Sequence, residues 1–329
     1  ATGIDVSMLK GKKLLNMDSE EEGVMLASCA GGCRADVKLP VERETVSGTK
    51  LTVSLSGLTG GHSGSEIDKG RGNANTLMSR LLRDASAPVA IASIDGGRKD
   101  NAIPRECTAQ IIVAPDEVAA VKASIEQAAA EIAEEFKASD PDLKLAVSEE
   151  TDCSESAISA KDSARVIALI EALPNGIIRM SREIDKLVET SLNLGVLKSD
   201  DTAVTLRYAV RSSVGVAKKS LKNQLVCIAG AFAAEVTFEG DYPAWEYQAK
   251  SEIRDTISAV YEELFQEEPV FEAIHAGLEC GILSGKIKEL DCVSFGPNNY
   301  DIHTPKERLS ISSTEKVWKL LVAFLKKCK

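Results

Sequence analysis

Histidine is scarce in this chain, and each copy lies where glycine or proline interrupts the pattern. The 329 residues include only His62, His275 and His303. His303 follows the apolar segment SFGP, and Asp18 likewise follows the apolar segment LLNM. Catalytic residues in open α/β sheets gather at the carboxyl ends of strands, and imidazole and carboxylate are ordinary ligands of zinc or manganese. Asp18 and His303 are therefore candidate metal ligands, and a surface position for His303 in a loop is the alternative.

His62 lies in the glycine-rich segment GLTGGHSGSEIDKGRGNANTL. Glycines allow the backbone to approach a ligand closely, so this loop is a candidate binding site. A phosphate cradle is one alternative, but the Gly-Lys-Ser/Thr ending of a P-loop is absent. A polar turn capped by Ser63 is the other alternative.

Three further segments contain candidate binding residues. Asn101 lies in GGRKDNAIPREC and Arg211 in AVRSS, while His275 lies in AIHAGLECG. An arginine at a strand end can hold a carboxylate with two parallel hydrogen bonds, although it can equally be a solvated strand terminus. The small-residue turn after His275 is compatible with a pocket wall or with tight packing. None of these segments decides the function alone.

Composition excludes several classes of partner. The chain is 44% hydrophobic and 27% charged, as in an ordinary soluble globular protein. Its net charge of −11 and its 4% aromatic content argue against nucleic acid or an anionic membrane as a partner. No apolar run approaches the roughly 20 residues that span a bilayer. The eight cysteines are scattered, which favours free thiols and a cytoplasmic location.

Periodicity predicts an α/β chain with an inserted region. From Thr49 the pattern reads β-α-β-β-α-β, and a second round of similar order follows to about residue 240. The flanking segments alternate strands and helices as α/β units do. We therefore expect residues 1–33 and 242–329 to form one α/β domain, interrupted by an α+β domain of two similar halves at residues 34–241.

The candidate segments together resemble one known family. In order they are NMDSEEEG, CAGG, GGHSGSEIDKGRGNAN, GGRKDNAIPRE, PNGIIRMS, VETSLNLGV, VRSS, YPAW, IHAGLECGIL and GPNNYDIHTPKERLSI. This series resembles the aminoacyl-histidine dipeptidases of the zinc-dependent aminoacylase and carboxypeptidase superfamily, and it runs through essentially the whole chain. The resemblance implies a two-metal α/β catalytic domain interrupted by a lid domain that is doubled in this branch.

The resemblance also implies roles for individual residues. Asp18 and His303 would each bind one of two zinc ions, for which Mn²⁺ or Co²⁺ could substitute. His62 would polarise the scissile carbonyl as an oxyanion donor. Asn101 and Arg211 would bind substrate, with Arg211 on its C-terminal carboxylate, and the turn at Gly277 would line the pocket. The implied activity is hydrolysis of dipeptides, preferentially Xaa-His including β-alanyl-histidine, by a homodimer.

The sequence departs from the family pattern in two ways. The family's His-x-Asp motif, its bridging aspartate and its Glu-Glu pair all precede the Asp18 motif, and no equivalent is found in this sequence. We therefore expect the chain to lack ~150 residues of the family domain and to be inactive by itself. The second departure is Lys306, which stands where the family has an aspartate. The alternatives are a non-catalytic fragment and a related acyl-amino-acid or tripeptide hydrolase.

Overall fold

The computed structural model describes residues 3–302 and 304–328, and these ranges form two main sheets, two small two-stranded sheets and seven α-helices. The strands are β1 Lys13–Asn16, β2 Val24–Cys29, β3 Gly31–Pro40, β4 Arg43–Ser56, β5 Gly61–His62, β6 Ala90–Gly96, β7 Ala102–Ile103, β8 Cys107–Val113, β9 Lys144–Ile158, β10 Gly176–Met180, β11 Val188–Ser199, β12 Ala203–Ser212, β13 Glu235–Tyr242, β14 Val270–Ile274, β15 Asp291–Ser294, β16 Asn299–Tyr300 and β17 Arg308–Leu309. The helices are α1 Ala74–Arg83, α2 Val118–Phe136, α3 Ala160–Ala172, α4 Gly215–Ala231, α5 Glu252–Phe265, α6 Glu279–Lys286 and α7 Ile311–Lys327, with a 3₁₀ turn at Ile67–Lys69.

The smaller sheet joins the beginning and the end of the chain in the order β1-β15-β2-β14. Successive residues of β1 face opposite layers, as strand geometry requires. Leu15 packs against the cluster that includes α5 and α7, whereas Leu14 packs against the cluster that includes Cys280 of α6. Helices therefore cover both faces of this sheet, which confirms the predicted α/β class.

The larger sheet has the order β13-β3-β12-β11-β6-β8-β4-β9, with β10 added beside β11. Two groups of four strands within it repeat the β-α-β-β-α-β pattern with the same spatial order. One group, the inserted half, comprises residues 43–158. The other, the split half, comprises residues 31–40 and 160–242, because the inserted half interrupts it after its first strand.

The two halves join through β6 and β11, which pair antiparallel at Gly96–Leu197 and Asp95–Lys198. Helices α1 to α4 cover one face, and a single apolar cluster runs beneath them through both halves. Alternating residues of β3 supply part of that cluster, namely Cys33, Ala35, Val37 and Leu39. The sheet is therefore one continuous platform on which the site residues of both halves keep a fixed spacing.

Several predicted elements differ in detail. The periodicity did not identify β3, and this omission made the repeat look tandem, whereas it is nested. The predicted domain limits (1–33 with 242–329, and 34–241) remain predictions, and the chain changes sheets between Cys29 and Gly31. From the sequence we expect the acidic residues Glu20 to Glu22 of NMDSEEEG to lie on the outside. The Glu22 side chain is instead only 19% exposed and forms an ion pair with Lys316 of α7 at 2.5 Å, so this expectation is wrong for Glu22.

Among residues 3–302 and 304–328, none of the helices is both long and apolar enough to cross a membrane.

Candidate functional site

A single row of residues crosses four strands of the split half. Ser191 on β11 is opposite Arg211 on β12, Arg211 is opposite Gly32 on β3, and Gly32 is opposite Tyr242 on β13. Directly opposed residues in antiparallel strands point to the same face, so these side chains share one surface. Glycine leaves a gap in the row, and across it Arg211 Nη1 donates a long hydrogen bond of 3.4 Å to the Tyr242 hydroxyl.

Arg211 differs from the other arginines on this face. Arg207, four residues earlier on β12, binds its cross-strand neighbour Asp36 through two hydrogen bonds of 2.8 Å. Arg34 is paired with Asp100 at 3.0 Å and with a glutamate of β13 at 3.3 Å. Within residues 3–302 and 304–328, the buried Nε of Arg211 has no hydrogen-bond partner. Arg211 thus presents a cation to a cleft of about 250 Å³ that Asn101 and Tyr242 also line.

His62 is held in one tautomer by its own loop. The backbone N–H groups of Gly64 and Ser65 donate to His62 Nδ1 at 3.2 and 3.1 Å. A ring nitrogen that accepts hydrogen bonds carries no proton, so the neutral ring carries its proton on Nε2. Burial, aided by the positive charge of Arg211, holds the pKa of His62 below its usual range. At neutral pH His62 is therefore an uncharged N–H donor.

The loop at residues 97–106 lies next to His62. Ser63 N donates to Asn101 O at 2.9 Å, and His62 and Asn101 both line a second cleft of about 660 Å³. Asn193 of β11 fixes the loop by donating from Nδ2 to Asp100 O at 3.0 Å and to Ala102 O at 2.9 Å. The predicted binding residue Asn101 is therefore held between two anchored carbonyls.

Gly195 of β11 permits the close approach of this loop. A Cβ there would lie 2.4 Å from the carbonyl oxygen of Asp100 and 2.5 Å from that of Lys99. Such distances are far inside van der Waals contact, so only glycine fits without a shift of the loop. Ser191, Asn193 and Gly195 alternate along β11, and each makes a contact that positions the site.

The turn after β14 reaches the same place from the smaller sheet. His275 is 6% exposed, and its Nε2 lies 2.7 Å from the hydroxyl of Ser191. Burial, with a contribution from the charge of Arg211, lowers the pKa of His275 to about 4. The His275 carbonyl oxygen lies 2.7 Å from the position of a Cβ on Gly64, so the turn also touches the His62 loop. His275 is therefore a neutral packing and hydrogen-bonding residue at neutral pH.

The predicted metal ligands are only partly described. Asp18 is exposed and lies just beyond the carboxyl end of β1, as expected, and the neighbouring Ser19 bonds Ser294 at the end of β15. His303 lies outside the described residues. Within the described ranges, no group of three or more His, Cys, Asp or Glu side chains is arranged to hold a metal ion. Of the two predicted ligands, the described residues therefore include Asp18 alone.

Sequence reasoning missed Ser191, Asn193 and Tyr242. The signal for Ser191 and Asn193 is faint but present: small polar residues and a glycine alternate with leucines in TSLNLGV, although a fully buried strand of a large sheet is usually apolar throughout. Tyr242 gave no comparable signal, because its role depends on the register of β13 against β3.

The chain is similar to known proteins in sequence and in fold. Residues 53–140 match the family model described as the peptidase dimerisation domain. The chain is 36% identical over 330 residues to the cytosol non-specific dipeptidase of Escherichia coli strain K12, covering 99% of this chain and 68% of that protein. The structure of the present chain is similar to the crystal structure of the aminoacylhistidine dipeptidase from Vibrio alginolyticus, with a TM-score of 0.91 and 33% identity. The match covers 99% of the present chain and 67% of the other.

The fold and the site thus define a peptidase-type chain with a lid of the dimerisation-domain class. The chain belongs to the aminoacyl-histidine dipeptidase family. It spans about two thirds of the length of each of these two relatives.

Proposed function

We propose that this chain binds and positions dipeptides for hydrolysis, and that it recognises their free C-terminal carboxylate. The observation that supports this most directly is Arg211, a half-buried guanidinium that faces a cleft without a carboxylate partner among the described residues. Its neighbours on the same face, Arg34 and Arg207, are both neutralised by ion pairs. A guanidinium matches a carboxylate in geometry and charge, so a peptide C-terminus is the ligand that it fits.

His62 has the chemistry of an oxyanion donor in this proposal. Its neutral ring presents Nε2–H, and it lines the cleft beside Asn101. A donor of this kind hydrogen-bonds the carbonyl oxygen as negative charge develops there, which contributes about 3 kcal/mol in comparable sites. Asn101, placed next to it by the 97–106 loop, would bind the peptide backbone.

Metal dependence belongs to the same proposal and is supported by the family resemblance. Asp18 and His303 would be ligands, and a bound metal pair of zinc, manganese or cobalt would supply an activated water. An assay of histidine release from Ala-His and β-alanyl-His, with and without added zinc or manganese, tests the metal dependence. Turnover that neither added metal nor a chelator changes would contradict it.

The preference for C-terminal histidine is a separate question. One relative is named a cytosol non-specific dipeptidase and the other an aminoacylhistidine dipeptidase. We propose dipeptides as the substrate class, with Xaa-His preferred. We also propose that the chain acts as a cytosolic homodimer. The match of residues 53–140 to a dimerisation domain supports the homodimer, and analytical ultracentrifugation tests it.

Ligand binding provides the test that does not need turnover. Calorimetric titration should show that Ala-His binds more tightly than its C-terminal amide, and that Arg211→Met removes the difference. Arg207→Met is the matched control, since that arginine already has Asp36 as its partner. Equal binding of acid and amide by the unaltered chain would contradict the proposal. Ala-Ala and Ala-Ala-Ala in the same titration separate dipeptide from tripeptide recognition.

A further inference from the structure

Tyr242 is the one side chain that contacts Arg211 by a hydrogen bond in the described structure. It is the last residue of β13 and begins the segment YPAW. Its hydroxyl accepts from Arg211 Nη1 across the gap left by Gly32. We propose that Tyr242 is a positioning residue that fixes the Arg211 guanidinium for a substrate carboxylate. This inference rests on the proposed role of Arg211.

Two glycines enclose the Tyr242 ring. A Cβ on Gly32 would lie 2.6 Å from the tyrosine hydroxyl, and a Cβ on Gly277 would lie 2.7 Å from the ring carbon Cε2. Gly32 belongs to the larger sheet and Gly277 to the turn between β14 and α6. Any side chain at either position would collide with the ring, so both glycines are needed for the Tyr242 ring to lie beside Arg211.

The backbone of Tyr242 is fixed independently of its side chain. Lys218 of α4, which is 7% exposed, donates to the Tyr242 carbonyl and to Asp241. Three residues later, Trp245 exchanges two backbone hydrogen bonds with Cys29, of 3.0 and 3.1 Å. The ring therefore starts from an anchored Cα, and removal of its hydroxyl should leave the strand in place.

The chemical state of Tyr242 suits this role. Burial raises the pKa of its phenol, so the hydroxyl stays protonated and uncharged at neutral pH. An uncharged acceptor orients a guanidinium without neutralising it, whereas a carboxylate would compete with the substrate for the charge. This is the difference from Arg207, whose partner Asp36 carries a negative charge and accepts from two of its donors. The tyrosine thus leaves the full positive charge available to a ligand.

The experiment compares Tyr242→Phe, Arg211→Met and the double variant in the chain 1–329. The probes are Ala-His and Ala-His amide, measured by calorimetric titration, and by KM if the chain turns over. Tyr242→Phe should weaken binding of the acid about tenfold and leave that of the amide unchanged, because only the acid uses the guanidinium. In the Arg211→Met background, Tyr242→Phe should have no further effect. A purely structural role would weaken acid and amide equally and would add to Arg211→Met.

A second readout needs no ligand. The charge of Arg211 contributes to the lowered pKa of both His62 and His275, so NMR titration of these rings reports the position of the guanidinium. Both pKa values should change in Tyr242→Phe, while the circular dichroism spectrum should not. Unchanged values would overturn the positioning role even if no probe binds.

The outcomes separate the inference from the proposal on which it rests. If Arg211→Met leaves the preference for acid over amide intact, the carboxylate-binding role of Arg211 is wrong. If Arg211→Met abolishes that preference but Tyr242→Phe does not reduce it, only the role of Tyr242 is wrong. Arg207→Met should change neither the preference for acid over amide nor the pKa values of His62 and His275.

Discussion

The inserted half and the split half of the larger sheet arrange four strands in the same order but connect them differently. The inserted half has 17 residues between β4 and α1 and ten between β6 and β8. Its site residues, His62 and Asn101, lie in these two connections. The split half joins the equivalent strands β11 and β12 by only three residues, Asp200 to Thr202. Its site residues, Ser191, Arg211 and Tyr242, lie on strands.

Because of this difference, the two halves contribute to the site in different ways. Strand residues keep their spacing because the ladder of backbone hydrogen bonds fixes it, whereas loop residues depend on contacts that hold the loop. The contacts that hold the 97–106 loop come from Asn193 and Gly195 on β11 of the other half. The inserted half thus supplies the long connecting segments, and the split half supplies the strand surface that holds them.

The largest effect is expected at Asn193. Asn193→Leu would leave the carbonyls of Asp100 and Ala102 without their side-chain donor. The Asn73 amide would also lose one of its acceptors, although it would still donate to the Leu194 carbonyl. Each buried group that loses its hydrogen bond costs roughly 1–3 kcal/mol, so the free energy of unfolding should fall by about 4 kcal/mol. Urea denaturation measures the loss, and faster tryptic cleavage in the 97–106 loop would show that the loop is released.

A control on the same strand separates loop anchoring from damage to β11. Lys198 is exposed, and Lys198→Leu should change the free energy of unfolding by no more than about 0.5 kcal/mol. If Asn193→Leu leaves tryptic cleavage at Arg98 and Lys99 unchanged, the inserted half holds its own loop. The claim that β11 of the split half anchors this loop is then wrong.

Gly195→Ala tests the same anchor by overpacking. The new methyl group would collide with the carbonyl oxygens of Asp100 and Lys99, at 2.4 and 2.5 Å. We expect a loss of about 3 kcal/mol in the free energy of unfolding, measured by urea denaturation. A variant as stable as the parent would mean that the loop moves away freely.

His275 should make stability depend on pH in the acid range. Its folded-state pKa of about 4 lies below the unfolded value of 6.5, so the unfolded state binds the proton first. The contribution of His275 to the free energy of unfolding is complete above pH 6.5 and is lost as the pH falls towards 4. Between pH 7 and pH 5 this amounts to about 2 kcal/mol.

The test compares the parent with His275→Gln, which keeps an amide near Ser191 but does not titrate. Urea denaturation at pH 7 and pH 5 should show a smaller decrease for His275→Gln than for the parent, because the carboxylates contribute equally to both. Identical decreases would show that His275 is accessible to protons in the folded state.

The smallest effect is expected at a glycine with open space around its Cα. Gly230 lies in α4 of the split half, and a Cβ there would have no atom within 4 Å. Gly230→Ala should raise the free energy of unfolding by about 0.5–1 kcal/mol, since alanine loses less backbone entropy in a helix. Thermal denaturation checks this, and a loss would show that helix α4 has a contact on that side.

Much of this molecule follows from local pattern in the sequence. Alternation predicted strands such as β4, β8 and β12, and helical periodicity predicted α1 and α7. The structure shows that Asn73 and Ser310 cap the starts of these two helices. The glycine-rich segment predicted a functional loop at His62. These features are local, because a period of two or 3.6 residues and a capping side chain act within a few positions.

The tertiary structure decided what lies opposite what. Register placed Gly32 between Arg211 and Tyr242, and the interruption of one half by the other placed the loop of Asn101 on β11. Residues in these contacts are 93 to 210 positions apart, as Asp100 is from Asn193 and Gly32 is from Tyr242. No local pattern encodes such pairs, because they arise only when strands distant in the chain settle into one sheet and bury a shared core.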